Sequence, residues 1–175
     1  MTSPIDLSTL CQIQYGIFII SSFSGSKING QIATVAFQVT NQPAQIAICL
    51  NKNNLTHQFV MDSKTFGISI LSEEADLKLI GKFGFRCGRD CDKFIDTNYK
   101  KSITGSPLVL DHAAGILDLK VNQALDLGTH TLFIGEVLTA EKISAKKPMT
   151  YDYYHKVVKG KTHQNAPTFQ TKITS

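Results

Sequence analysis

Long apolar runs are missing from this 175-residue chain: the longest, around residues 15–20, falls far short of the roughly 20 residues that cross a bilayer. A membrane-spanning protein is therefore not expected. Residues 1–14 lack a basic stretch and an apolar core, and carry Pro4 and Asp6, so no secretion signal is read there and the chain is expected in the cytoplasm. Charge is scarce as well. Only 18% of residues are charged, against roughly a quarter in an average globular chain, which excludes charge-driven disorder and a coiled coil. No run of about five like charges occurs, so nucleic-acid binding is not expected. The net charge of +4 suits a small anionic ligand equally as well as it suits a merely soluble surface.

Cysteine is too sparse for a disulfide framework. Of Cys11, Cys49, Cys87 and Cys91, Cys49 sits in an apolar run as a buried thiol would, and Cys87 and Cys91 stand four apart with no second closely spaced pair. No metal site is expected. The common catalytic signatures are absent too. Thr104-Gly105-Ser106-Pro107 lacks the second glycine of a nucleophile elbow, and Gly160-Lys161-Thr162 has His155 where a phosphate-binding loop needs glycine. No Gly-x-Gly-x-x-Gly occurs, and the five histidines form no zinc-binding pair.

What is present reads as short strands. Residues 15–22 are apolar and β-branched, 23–30 supply turn residues ending in Asn29-Gly30, and 33–39 alternate with a period of two. After Pro43 a third strand covers 45–50. A helix capped by Asn53 or Asn54 follows, then a strand over 66–71, and a second helix introduced by the acids at 73–76. Residues 84–99 read as a loop; 107–110, 114–121 and 130–137 are further strand candidates. Pro148 opens a tail with an aromatic cluster at 151–155. The fold class is mainly β, a β-barrel or sandwich with added helices. One domain over residues 1–175 is expected, with its core at about 14–147 and a tail at 148–175.

Two places invite a ligand. Residues 51–57, Asn-Lys-Asn-Asn-Leu-Thr-His, join a strand to a helix start, where free backbone N–H groups meet the positive end of the helix dipole; Lys52 adds charge. This is a phosphate cradle or a capped helix facing water. His130 follows Gly128-Thr129 at the mouth of a strand, placed to face a ligand or simply structural.

At these residues the sequence resembles the flavin reductase-like family, which binds FMN in a split β-barrel of Greek-key type. The resemblance covers about residues 14–169 in consistent order. It runs from Asn29-Gly30 and the 51–57 junction through Gly81-Lys82-Phe83-Gly84-Phe85, Gly88-Arg89-Asp90 and Asp92-Lys93-Phe94. Gly105-Ser106-Pro107, the block Gly128–Val137 and the tail complete it. It is most similar to the flavoredoxin branch, including the flavin domain of high-molecular-weight rubredoxins. The resemblance implies a homodimer with FMN near the subunit interface. It implies FMN binding by Asn29, Gly30, Gln31, Ile32, Thr34 and Val35, by Lys52, Asn53, Asn54 and Thr56, and by Lys93 and His130. His130 is the implied catalytic residue, beside the flavin and assisting the nicotinamide, although Thr129 stands where many members have Asp.

The function so implied is electron transfer from NADH or NADPH through FMN to a flavin, oxygen or a redox protein such as rubredoxin. The alternatives are a flavoredoxin-type carrier between redox proteins without NAD(P)H activity, and a non-catalytic module binding flavin or haem. No Cys-x-x-Cys pair is present, so a fused rubredoxin is not expected.

Overall fold

A computed structural model describes residues 6–169. The outermost stretches of the expected domain, 1–5 and 170–175, lie outside those residues. The elements run α1 (Leu7–Leu10), β1 (Phe18–Ser24), β2 (Lys27–Ala33), β3 (Ala36–Asn41), β4 (Ala44–Asn51), α2 (Leu55–Ser63) and β5 (Thr65–Leu71). After these come α3 (Leu77–Gly84), β6 (Tyr99–Lys101), β7 (Pro107–Val109), β8 (Ala113–Asp126), β9 (His130–Lys142) and α4 (Tyr151–Lys156).

Seven strands form one antiparallel sheet in the order β2-β1-β5-β8-β9-β4-β3, and β6-β7 form a small second sheet. The first and last strands of that order, β2 and β3, are joined by Thr34 and Val35 alone. A connection this short spans about 10 Å at most, so the sheet must roll until its two edges come near each other. The result is the mainly β, barrel-like architecture expected from the sequence. Inside the roll pack Ile20, Ile48, Leu50, Phe66, Ile68, Leu119 and Phe133, with Val60 of α2. A second cluster on the outer face joins Ile19 to Leu79, Ile80 and Phe83 of α3 and to Tyr154 of α4. Ile19 and Ile20 thus point to opposite, equally buried sides, which is why β1 reads as continuously apolar. Gly135 of β9 is required by close approach: a Cβ there would lie 2.7 Å from the Phe66 ring.

Several expected boundaries move. The first hairpin turns at Gly25-Ser26, where Gly25 has φ of 58° as the first central residue of a two-residue turn. Asn29-Gly30, expected as the turn, instead lies in the middle of β2, paired with Ser22 and Ser21. The expected strand 33–39 is broken at Thr34-Val35, because that bend is what carries the chain from one end of the sheet to the other. Glu73 and Glu74 lie ahead of α3 rather than in its first turn, pairing with Lys147 and Lys146. Asp76 caps α3, its Oδ1 accepting from Leu79 N–H at 2.7 Å. β8 and β9 extend well beyond the stretches expected for them, forming a long hairpin.

Candidate functional site

A cavity of about 300 Å³ opens where β2, the β4–α2 junction, the loop after α3 and the C-terminal tail meet. Each wall has a local cause. β4 ends at Asn51, whose Oδ1 accepts from Asn53 N–H at 2.9 Å, turning the chain sharply into α2. Asn54 is the N-cap residue by backbone conformation, yet its side chain makes no capping bond. Its Oδ1 instead accepts from Asn165 Nδ2 at 2.9 Å, drawing the tail over the junction. Asn54 O accepts from His57 N–H and Gln58 N–H, so the amides of Leu55 and Thr56 are left with no protein acceptor among the described residues. That is the arrangement in which a helix start attracts an anion.

β2 supplies the second wall. Asn29 Nδ2 donates to Thr56 Oγ1 at 2.9 Å, fixing strand to helix. Gly88 lets the loop after α3 lie against that amide; a Cβ there would fall 2.1 Å from Asn29 Oδ1. Gln31 lines the cavity with its Oε1 buried and unpartnered. Such an atom calls for a donor from whatever occupies the space.

Lys93 is the most unusual group. It is 4% exposed, and its ammonium donates to Gly30 O at 2.9 Å and Phe83 O at 3.2 Å. No carboxylate pairs with it among the described residues. Burial pushes it down to about 8 from an ordinary 10.5, an effect partly opposed by the nearby Cys87 and Cys91. Two carbonyl acceptors leave one ammonium proton to spare. Arg86 and Lys161 also line the cavity, and no Asp or Glu does. The charged residues of the wall are all basic.

The tail completes the enclosure and was not assigned from the sequence. Tyr151 Oη bonds Thr162 Oγ1, Tyr154 Oη donates to Lys161 O at 3.0 Å, and His155 Nδ1 bonds Gly160 O at 3.0 Å. These hold residues 161–167 against the opening. Lys161, Thr162, His163 and Asn165 thereby join the wall, to which the loop after α3 adds Arg86. A basic, Gly- and Pro-containing tail behind an aromatic cluster was the only signal available for them.

Of the residues expected to bind a cofactor, Asn29, Gln31, Ile32, Thr34, Asn53, Asn54, Thr56 and Lys93 line this cavity. Gly30 lies in the same wall, and its carbonyl is engaged by Lys93. Three expected residues are placed elsewhere. Val35 borders a neighbouring apolar groove with Phe18 and Phe37, because the β2–β3 bend turns it away. Lys52 points outward, its ammonium 2.6 Å from Asp126 on the β8–β9 hairpin. His130 pairs with Asn51 across β4 and β9 but does not reach the cavity. Its Nε2 donates to Asn165 O at 3.1 Å and its Nδ1 bonds the Thr129 hydroxyl at 2.9 Å. A carbonyl can only accept, so the proton sits on Nε2 and the ring serves as a bracket for the tail.

The sequence profile of the Flavin reductase like domain matches residues 10–160. The high molecular weight rubredoxin of Moorella thermoacetica is 46% identical over 165 residues, covering 94% of this chain and 72% of that protein. The ferric-chelate reductase (NAD(P)H) of Archaeoglobus fulgidus is 43% identical over 165 residues, covering 94% of this chain and 98% of that protein. Among solved structures, the NADH:FAD oxidoreductase of Streptomyces globisporus superposes with a TM-score of 0.73 at 25% identity, covering 86% of this chain and 91% of that one.

Proposed function

The chain belongs to the flavin reductase-like domain family, and we propose that it is an oxidoreductase holding FMN in the cavity between β2, α2 and the tail. Electrons pass from NADH or NADPH through the flavin to a second flavin, dioxygen or a redox protein. One observation carries this assignment: the uncapped start of α2 and the buried, carboxylate-free Lys93 ammonium line a single cavity. The pair suits a ligand with a phosphate at one end and an electron-accepting ring at the other.

A bound flavin supplies the two-electron chemistry. The chain's own residues bind and orient. The amides of Leu55 and Thr56 and the Thr56 hydroxyl hold the phosphate, while Asn53 and Asn54 shape the turn that presents them. FMN is the flavin of this proposal, its single phosphate matching the one uncapped helix start in the cavity. Gln31 offers its unpartnered amide to the polar edge of the ring, and Ile32 and Phe85 give it apolar walls. The Lys93 ammonium favours negative charge on the ring. His130 acts as a positioning residue through Asn165.

A homodimer is part of this proposal. Phe37 and Val39 of β3, and Leu125 and Leu127 at the β8–β9 hairpin, are all exposed in the single chain. A second copy covering them gives these strands the burial that their composition calls for. No described helix is long and apolar enough to cross a membrane. The unbridged Cys49, Cys87 and Cys91 support a reducing cytoplasmic setting.

The second function, an electron carrier between redox proteins, is favoured by the relative named a high molecular weight rubredoxin. Anaerobic mixing of the yellow holoprotein with NADH and with NADPH separates the two. Rapid bleaching of the yellow flavin colour is expected for the reductase. A flavin that bleaches only with a reduced redox protein selects the carrier, and a colourless protein that takes up no flavin overturns both.

A further inference from the structure

Cys87 and Cys91 play no part in the binding scheme above, yet their placement is specific. They occupy one turn of the loop after α3, with Cys91 N–H donating to Cys87 O at 3.3 Å and Cys91 Sγ donating to the same carbonyl at 3.5 Å. Residues one helical turn apart have Cα atoms about 6 Å from each other, inside the roughly 4.4–6.8 Å of a disulfide, and Cβ atoms about 5–6 Å apart, so the turn has to tighten by about 1–2 Å as the bond closes. Both are half-buried, open enough to react, whereas Cys49 is buried within β4. Cys87 lines the cavity.

The Cys87 sulfur also has polar neighbours. Arg89 donates to Cys87 Sγ from its backbone amide at 3.5 Å and from its guanidinium at 3.7 Å. The buried Lys93 ammonium lies within electrostatic reach of both thiols. Positive donors around a sulfur stabilise the charge that thiol–disulfide exchange places on it. A metal site is the competing use of such a pair. Among the described residues no three His, Cys, Asp or Glu side chains converge to hold an ion.

We propose that Cys87 and Cys91 form a redox-active dithiol at the rim of the cavity, which exchanges an electron pair with low-molecular-weight disulfides of the glutathione type. Cys87 sulfur attacks the external disulfide, whose S–S bond breaks; one thiolate leaves with the electron pair and Cys87 is held in a mixed disulfide. Cys91 sulfur then attacks Cys87 Sγ, expelling the second thiolate and closing the Cys87–Cys91 bond. The protein dithiol is oxidised by two electrons, the external disulfide becomes two thiols, and the two protein thiol protons pass to the two leaving thiolates. Cys87 is the attacking residue because it lines the open cavity, whereas Cys91 Sγ is turned to the Cys87 carbonyl; Cys91 is the resolving one. The inference goes beyond the flavin assignment and does not rest on it.

The test is a redox titration of the purified holoprotein in anaerobic mixtures of reduced and oxidised glutathione, quenched in acid, alkylated with N-ethylmaleimide and mapped by peptide mass. The expected result is a single two-electron transition in which Cys87 and Cys91 lose both alkyl groups together, their peptide becomes lighter by two hydrogens, and dithiothreitol restores it. In Cys91→Ser the expected product is a glutathione mixed disulfide on Cys87. Wild-type protein that alkylates fully at both cysteines across the whole range, or that carries separate mixed disulfides with no internal bond, overturns the proposal. Because the wild-type titration decides the matter alone, a poorly folding variant does not blunt it.

Discussion

Asn29 Nδ2 donates to Thr56 Oγ1 at 2.9 Å, tying the middle of β2 to the first turn of α2 with both side chains almost wholly buried. This bond decides how far the uncapped helix start stands from the strand that walls the cavity. In Asn29→Ala the Thr56 hydroxyl loses its donor and Gly88 loses the amide it rests on. A loss of about 1–3 kcal/mol in urea denaturation of the flavin-free protein is expected. FMN affinity should fall by about tenfold, an effect of similar size. Unchanged affinity in a destabilised variant would separate the cradle from the ligand.

Lys93 makes binding pH-dependent. In the free protein its ammonium titrates at about 8, and an anionic ligand favours the charged form. Where free Lys93 is neutral, binding must take up a proton, so affinity falls as pH rises through 8, approaching about tenfold per pH unit. Fluorescence titration of FMN between about pH 7 and 9.5 reads this slope, and Lys93→Met should abolish it. Stability moves the other way. The unfolded chain binds more protons than the folded one between about 8 and 10.5, so Lys93's contribution to stability increases with pH across that interval.

Lys52 and Thr56 lie four residues apart in the same junction, but only Thr56 lines the cavity. The exposed Lys52–Asp126 pair faces away from it. Lys52→Ala is expected to change FMN retention by less than about threefold, since a screened surface charge contributes little. Thr56→Ala should weaken retention by about tenfold or more, through loss of a buried hydroxyl. Equal losses in equilibrium dialysis would return Lys52 to the phosphate site.

His130 holds the tail through Asn165 O, and so acts on the cavity at one remove. Stopped-flow reduction of fully loaded His130→Ala should keep its hydride-transfer rate within about threefold of wild type, while FMN dissociates faster by about tenfold. A slowed reduction step with unchanged dissociation would instead place the imidazole beside the nicotinamide.

Much of this was legible in the sequence because local chemistry and tertiary demand agreed. Asn54 at a strand-to-helix junction and the apolar run Ile46–Leu50 agree with the observed β4 and α2. Asn29-Gly30 misled because that dipeptide favours turns, yet here the strand is fixed by pairing with β1 and by the Thr56 bond. The break at Thr34-Val35 serves closure of the whole sheet, which no local pattern encodes. The tail was silent for a similar reason. Lys161 and Asn165 reach the cavity through hydrogen bonds to residues as distant as Asn54, and a polar stretch carries no mark of such a partner. Lys52 and His130 lie beside the cavity, their side chains engaged by Asp126 and Asn165, contacts that a local sequence pattern does not encode.

A crystal structure of the protein grown with FMN settles where the flavin sits. Phosphate density against the amides of Leu55 and Thr56, with the ring within reach of Lys93 and Gln31, is the expected result. Flavin density outside the space bounded by β2, α2 and the tail, or that space left to water while the crystals are yellow, would contradict it.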